Sequence, residues 1–326
     1  MADSKDDFET IRQIQTVLTL HFVDGVRQNE IAATLNLSTS KVNRLIAQGR
    51  KLGMLKISVE SPFQRLIEIE TLIRKMAGLS SAIVTPTVPA SPESTLQQVG
   101  RLAANQLLES LRDGDVVAIT GGKAIHALVE QLNPERSFDV TVVPLTGGVQ
   151  GKHFTDVNHL ATRVAERLGG RTMLLHAPLF AESRAQRDML LDMAPVREVL
   201  DLARKASIAL VGVGSILSPA SSYYDLHPGL GPDHERLAAS GAVGEFLAHL
   251  IRDDGKLADY ALNDRLVALA PADLARCRSV IGVASGLEKV RPIRAALNGG
   301  YLKSLVLDEE TANAVLGKNG IIRHVA

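Results

Sequence analysis

VRQNEIAATLNLSTSKVNRLIAQGRKLGMLK, residues Val26 to Lys56, reads as two short helices joined by a tight turn: Gln28 to Leu35, a break at Asn36-Leu37, and a second helix running towards Lys51. Ser38 is suited to cap that second helix, because its hydroxyl can accept a bond from an orphan N–H of the first turn. Ile31, Ala32 and Leu35 on the first helix, and Val42, Leu45 and Ile46 on the second, recur at helical spacing, so each helix has one face to bury. Off that face the second helix leaves Thr39, Ser40, Lys41, Asn43 and Arg44 at its N-terminal end, where a recognition helix meets base edges and phosphates. Gln28, opening the first helix, and Lys51, closing the second, complete the candidate DNA-contacting set. No acid lies between Glu30 and Glu60, which makes this stretch a local basic face. An ordinary helical hairpin with a solvated basic surface has the same spacing. What favours DNA binding is the alternating run Gly53 to Val59 that follows at once and suggests the wing of a winged helix.

Working outward, Ile11, Ile14, Leu18 and Phe22 fall at steps of three and four, and the spacing predicts an amphipathic helix completing a three-helix core. After Ser61-Pro62 a new helix begins, with Leu66, Ile69, Ile73 and Met76 spaced as a short a/d seam. That seam is either a dimer contact, as a helix-turn-helix reading two half-sites needs a second copy, or the helix's own core face.

The chain has 326 residues, 45% hydrophobic and 22% charged, which suits a globular protein of two domains. Its formal net charge is zero, so affinity for nucleic acid must come from a localised patch. No apolar run reaches membrane-spanning length and the start, MADSKDDFET, is acidic and polar, so the expectation is a cytoplasmic protein with no membrane partner. Cys277 is the single cysteine, which excludes an intrachain disulfide and a cysteine metal cluster, and its place before an apolar strand reads as a buried structural thiol. Neither a Walker loop nor a dinucleotide fingerprint occurs, so no nucleotide cofactor, no metal and no other cofactor is expected.

From Leu79 onwards short apolar runs alternate with helical patterns. Asp115 to Thr120 precedes a helix from Ala124, and Val140 to Leu145 precedes one from Asp156. Thr172 to His176 and Ile208 to Val213 follow, then Val280 to Ala284 before a helix from Glu288 and Ser304 to Leu307 before one from Glu309. This predicts a doubly wound, mostly parallel α/β sheet covered on both faces. Four strands end in glycine-bearing loops: TGGK (Thr120 to Lys123), TGGVQGK (Thr146 to Lys152), GVGS (Gly212 to Ser215) and ASGLEK (Ala284 to Lys289). In such sheets ligands bind outside the carboxyl ends of the strands. Taken singly, each loop could be an ordinary turn. Lys123 and Lys289 both open helices, where a cation works against the helix dipole, and their presence is easier to understand if an anion sits between them.

These residues resemble the SorC/DeoR-type bacterial transcriptional regulators with a C-terminal sugar-binding domain. The resemblance rests on GAVGEFL (Gly241 to Leu247), DDGKLADYALNDRLVAL, VIGVASGLEKVRPIRAALNGGYLKSLVLDEETANAVL, VVPLTGGVQG and LLHAPLF, with VDG, QNEIAATL and KVNRLI in order before them. It runs from about Ile14 to Leu316. It implies a winged helix-turn-helix domain over residues 1–60, a linker and dimerisation helix over 61–78, and over 79–326 an effector domain with the sugar-phosphate isomerase fold but not its chemistry. By motif, Gly121, Gly122 and Lys123 form one effector loop and Gly147 and Gly148 another, Glu245 accepts hydroxyl hydrogen bonds, and Lys289 meets a phosphate, with Arg265 a further candidate. The implied partners are operator DNA, a phosphorylated sugar or related effector, and further copies of the chain as a dimer or tetramer. Arg27 and Thr39 stand where the family commonly has threonine and arginine, and Lys123 where relatives vary, so neither operator nor effector identity transfers.

Two other functions compete with regulation. A sugar-phosphate isomerase with a DNA-binding extension would need a positioned base, for which Glu245 or His153 could be nominated, though no acid–base pair is forced. A ligand-free scaffold would leave the glycine loops unexplained. The reading adopted is a non-catalytic regulator of a carbohydrate-utilisation operon.

Overall fold

The computed structural model describes residues 3–55, 63–149, 156–216, 237 and 239–317, and divides into two compact units, residues 1–62 and 63–326. In the first unit, α1 (Asp3–Leu18), α2 (Gln28–Thr34) and α3 (Thr39–Lys51) enclose a core of Ile14, Val17, Leu18, Ile31, Ala32, Val42, Leu45 and Ile46. Ser38 caps α3 as its position predicts, its side chain accepting from the Lys41 N–H at 3.2 Å. Asn36 takes the left-handed conformation at φ 53° in the turn between α2 and α3, a conformation asparagine tolerates better than most. Gly49 is buried where α3 crosses α1, and a Cβ there would stand 2.7 Å from Leu18 Cδ1.

The face of α1 differs from the one its spacing predicts. Ile14 and Leu18 are buried, but Val17 joins them, while Ile11 and Phe22 are exposed. For Phe22 the cause is a π-helical turn over Thr19–Val23, which changes the winding and carries that ring outward, where the Arg50 guanidinium stands 5.7 Å from its centroid. The chain turns at Leu52 and Gly53, and most of the expected wing, from Lys56 to Val59, lies outside the described residues.

The second unit opens with α4 (Gln64–Ala77), whose Leu66, Ile69 and Ile73 are buried in that unit's own core. The seam residues are thus the helix's core face rather than an open dimer contact, because β1 (Ser81–Thr85) follows directly and the helix folds back onto it. Met76, the fourth seam residue, is exposed instead, with Phe63, Ile67 and Leu72.

The remaining elements are α5 (Pro92–Ser110), β2 (Val116–Ile119), α6 (Lys123–Gln131), β3 (Thr141–Pro144), α7 (Val157–Leu168), β4 (Arg171–Thr172), α8 (Arg184–Asp192), α9 (Ala194–Arg204), β5 (Ile208–Gly212), β6 (Ala242–Phe246), β7 (His249–Arg252), β8 (Ser279–Val283), α10 (Val290–Asn298), β9 (Ser304–Asp308) and α11 (Glu309–Val315). Seven strands form one sheet in the order β1-β9-β8-β5-β2-β3-β4, every neighbouring pair parallel. The doubly wound α/β expectation is met. Strand residues alternate between two cores: Val117, Ile119, Ile208 and Leu210 face α5, α6 and α7, while Ala118, Ala209 and Val211 face α4, α9, α10 and α11. Burial on both faces is why these strands read as unbroken apolar runs. Cys277 is a free, buried thiol, as its place in the sequence suggests.

Candidate functional site

From β2 the chain steps outward to β3 and β4, whereas β5 returns to the other side of β2 and is followed outward by β8 and β9. The order therefore reverses between β2 and β5, and at such a switch point the loops leaving the two carboxyl ends part and open a crevice. A cavity of about 900 Å³ lies there. Its wall contains Thr120 to Lys123 after β2, Gly212 to Ser215 after β5, Ser285 to Lys289 after β8, Asp308 at the end of β9 and Glu245 of β6. The loop after β1, Thr87 to Thr95, forms its rim.

Two of these loops are built alike. Gly122, before α6, has φ 119° and ψ 159°, and Gly286, before the turn that leads into α10, has φ 113° and ψ 140°, a region open essentially to glycine alone. Each is followed by a lysine near the start of a helix, Lys123 exposed and Lys289 half-buried. Burial pushes the Lys289 ammonium below its usual range; the carboxylates of Glu288, Glu245 and Asp308 oppose that, and the positive charge of Lys123 adds to it. The two cations are thus near enough to repel one another.

Glu245 sits across from Lys289. Burial raises its carboxyl above the usual range, against the Ala248 N–H, which donates to Oε1 at 3.2 Å, and the charge of Lys289. Its backbone is fixed by a reciprocal pair of 2.9 Å bonds with Gly214. A Cβ on Gly214 would lie 2.5 Å from Glu245 Oε2, so the glycine of GVGS makes room for this carboxylate.

Asp308, which the sequence reasoning missed, joins three loops. It accepts from Thr87 Oγ1 at 2.9 Å, from the Thr311 N–H at 3.0 Å and hydroxyl at 2.6 Å, and from the Gly286 N–H at 3.3 Å. Burial works to raise its carboxyl, but the bonds from Thr311, Ser285 and Thr87 carry it below the usual range, so it stays ionised. A signal was present, because Asp308 stands three residues before Thr311 as an N-cap on the DEET run.

Of the expected effector residues, the structure gathers Gly121, Gly122, Lys123, Glu245 and Lys289 around one cavity and leaves three elsewhere. Gly147 and Gly148 pair with the Ala177 to Leu179 segment and with Val267: the Gly147 N–H donates to Val267 O at 2.7 Å and the Gly148 N–H to Ala177 O at 2.9 Å. Arg265 Nε donates to Ala181 O at 2.7 Å, a tie between two loops. Lys152 and His153 fall outside the described residues. In the first unit Thr39, Ser40, Lys41, Asn43, Arg44 and Lys51 are all exposed and Gln28 half-buried, which leaves one polar and basic helix surface free.

The Sugar-bind family model, a sugar-binding domain, matches residues 61–317. The crystal structure of the full-length sorbitol operon regulator SorC from Klebsiella pneumoniae superposes with a TM-score of 0.73 at 26% identity, covering 94% of this chain and 99% of that one. This chain belongs to the SorC family of transcriptional regulators. The same relationship holds along the sequence. The erythritol catabolism regulatory protein EryD of Brucella abortus is 30% identical over 303 residues, covering 92% of this SorC-family chain and 94% of EryD. The transcriptional regulator LsrR of Enterobacter sp. (strain 638) is 30% identical over 311 residues, covering 94% and 93%. These relatives carry regulator names. Among the described residues no helix is long and apolar enough to cross a membrane.

Proposed function

We propose that this SorC-family regulator binds operator DNA through α3 and that a phosphorylated sugar or polyol in the strand-end cavity controls that binding. The observation that supports the effector half best is the pair Lys123 and Lys289, two mutually repelling cations at the starts of two helices around one cavity. A dianionic phosphate between them relieves both the repulsion and the unfavourable dipole. Glu245, beside Lys289, then accepts hydroxyl hydrogen bonds, and Gly121 and Gly122 let the backbone approach the ligand. The sorbitol and erythritol in the relatives' names favour a carbohydrate-utilisation operon as the target. In this reading the chain is cytoplasmic, performs no catalysis and acts as a homo-oligomer, with the exposed Phe63, Ile67, Leu72 and Met76 of the α4 region available to a second copy.

The test is an operator-binding titration by fluorescence anisotropy with the chain's own promoter region. It is run without and with sorbitol 6-phosphate, erythritol 4-phosphate and their unphosphorylated parents, on wild type, Lys289→Ala and Arg44→Ala. Arg44→Ala is expected to lose roughly 1–3 kcal/mol of operator affinity. Lys289→Ala is expected to bind operator normally but to need about ten- to a hundredfold more sugar phosphate, the loss of one charge-assisted bond. If no phosphorylated sugar changes operator binding or raises the melting temperature, the effector reading fails. Turnover of those compounds would favour the isomerase instead.

A further inference from the structure

The strands β6 and β7 pair antiparallel, with Phe246 opposite His249, so Leu247 and Ala248 alone make the turn between them. Both have positive φ, 52° and 62°. A two-residue hairpin turn of this type favours asparagine and glycine, because a Cβ is strained there, most of all on a bulky residue such as leucine. Nothing exposed excuses the choice, since Leu247 is 1% and Ala248 7% accessible. Strained backbone held by its surroundings clusters at ligand clamps and switch regions.

What holds the turn on the cavity side is Glu245, whose Oε1 accepts the Ala248 N–H at 3.2 Å. On its other side Ala248 packs with Leu179 and Leu266, against Phe180 and Val149. The Leu179 N–H in turn donates to Gly148 O at 2.8 Å, so the turn lies between the cavity wall and the second glycine loop. The piece that carries it is firm: a Cβ on Gly244 would stand 2.5 Å from Pro292 Cβ, Phe246 stacks on Tyr301, and Asp253 pairs with Arg291. These contacts fix the hairpin to α10 and Tyr301 and leave the turn and the carboxylate that restrains it outside them.

We propose that Leu247 and Ala248 are positioning residues that convert occupancy of the cavity into a structural change. In the restrained state the Glu245 side chain accepts the Ala248 N–H and holds the turn in its strained form. Hydroxyl groups of a polyol compete for the same carboxylate, the N–H is released, and the turn relaxes against Leu179 and Leu266. This rests on the proposed effector reading, in that Glu245 meets hydroxyls. The strain lowers the threshold, because the held state is already raised in energy and a ligand shifts an equilibrium only by its differential affinity for the two states.

The test separates positioning from plain structural support. Ala248→Gly keeps the N–H and removes the strain, so its melting temperature should rise while the sorbitol 6-phosphate or erythritol 4-phosphate needed for half-release or half-binding of operator rises about three- to tenfold. A residue with only a structural role would not make the protein more stable and less responsive together. In the second arm, hydrogen exchange read by mass spectrometry on the unliganded protein compares wild type with Glu245→Gln and Glu245→Ala. Faster exchange of peptides covering 246–252 and 177–181 is expected, larger for Ala than for Gln. Wild-type exchange at 177–181 in Glu245→Ala, or an unchanged half-response in Ala248→Gly, would overturn the proposal. Should wild type respond to no sugar phosphate, the effector reading falls, and the exchange arm alone then decides whether Glu245 restrains the turn.

Discussion

Thr120-Gly121-Gly122 and Thr146-Gly147-Gly148 are the same tripeptide at the ends of two neighbouring parallel strands, β2 and β3. The first lines the cavity, and the space where a Gly122 Cβ would sit is open to at least 4 Å. The second is packed into its own domain, where a Cβ on Gly147 would stand 2.5 Å from the carbonyl oxygen of Pro178. Glycine serves a positive-φ backbone conformation beside open space in one loop and backbone-to-backbone packing in the other. The difference comes from strand order. β2 borders the switch point, whereas β3 lies one strand further out, where the Ala177 to Leu179 segment covers its end.

If that contrast is right, Gly147→Ala should have the largest effect. Added volume against buried backbone has no side chain to push aside, and a loss of about 3 kcal/mol in urea unfolding is expected. Any direct effect on effector affinity should be small by comparison. A Gly147→Ala protein of wild-type stability would mean that the second loop is as free as the first.

Acid should also act on the second loop's side of the domain. His249 follows the hairpin turn, with its Nδ1–H donating to Leu247 O at 2.9 Å, and burial, against that bond, lowers its pKa from 6.5 to about 4. Above pH 6.5 the ring is neutral in both folded and unfolded chains and costs nothing. As pH falls towards 4 only the unfolded chain takes the proton, so stability declines, by about 2 kcal/mol between pH 7 and pH 5. Urea unfolding at the two pH values measures it. His249→Gln should flatten the difference, and a wild type equally stable at both would show that the imidazole already carries its proton in the fold.

Gly122→Ala should cost less than the crowded glycine, about 1–2 kcal/mol, because it strains backbone at φ 119° without meeting any neighbour. Unlike Gly147→Ala it should weaken sugar-phosphate binding, measured by thermal shift against ligand concentration. The smallest effect is expected at Gly148, with ordinary φ and only Asn158 Nδ2 at 3.7 Å. Gly148→Ala should stay within roughly 1 kcal/mol of wild type, since glycine removal also restricts the unfolded chain. A large loss there would make the whole second loop a packed unit, not Gly147 alone.

The sequence carried the alternation from Asp115 onward because strands buried on both faces print their apolar runs directly, and it carried the cap at Ser38 because that depends on local chemistry. It carried the cavity only in part. Lys123 and Lys289 were visible as cations placed against a dipole, whereas Gly147 and Arg265 were indistinguishable from ligand groups until strand order and loop pairing were known. The β6–β7 hairpin was hidden by its turn, since Leu247-Ala248 has none of the residues that mark a reversal. The seam of α4 stayed undecided because a stripe of Leu66, Ile69 and Ile73 looks the same whether another copy or a strand of the same chain covers it.

Among the described residues the first strand of the sheet has one sheet partner, near the chain's other end. Ser80 donates through its hydroxyl to Lys303, 223 residues later, and β1 pairs with β9 alone. On a ribosome adding roughly 5–20 residues per second, β1 waits on the order of 10–45 s for its neighbour to be made. During that interval α4 and β1 have left the tunnel with their apolar faces uncovered, while the helical residues ahead of them already have their own core. The first unit can therefore fold long before the sheet of the second closes. A nascent chain halted in that window would carry a folded first unit and an unfinished sheet.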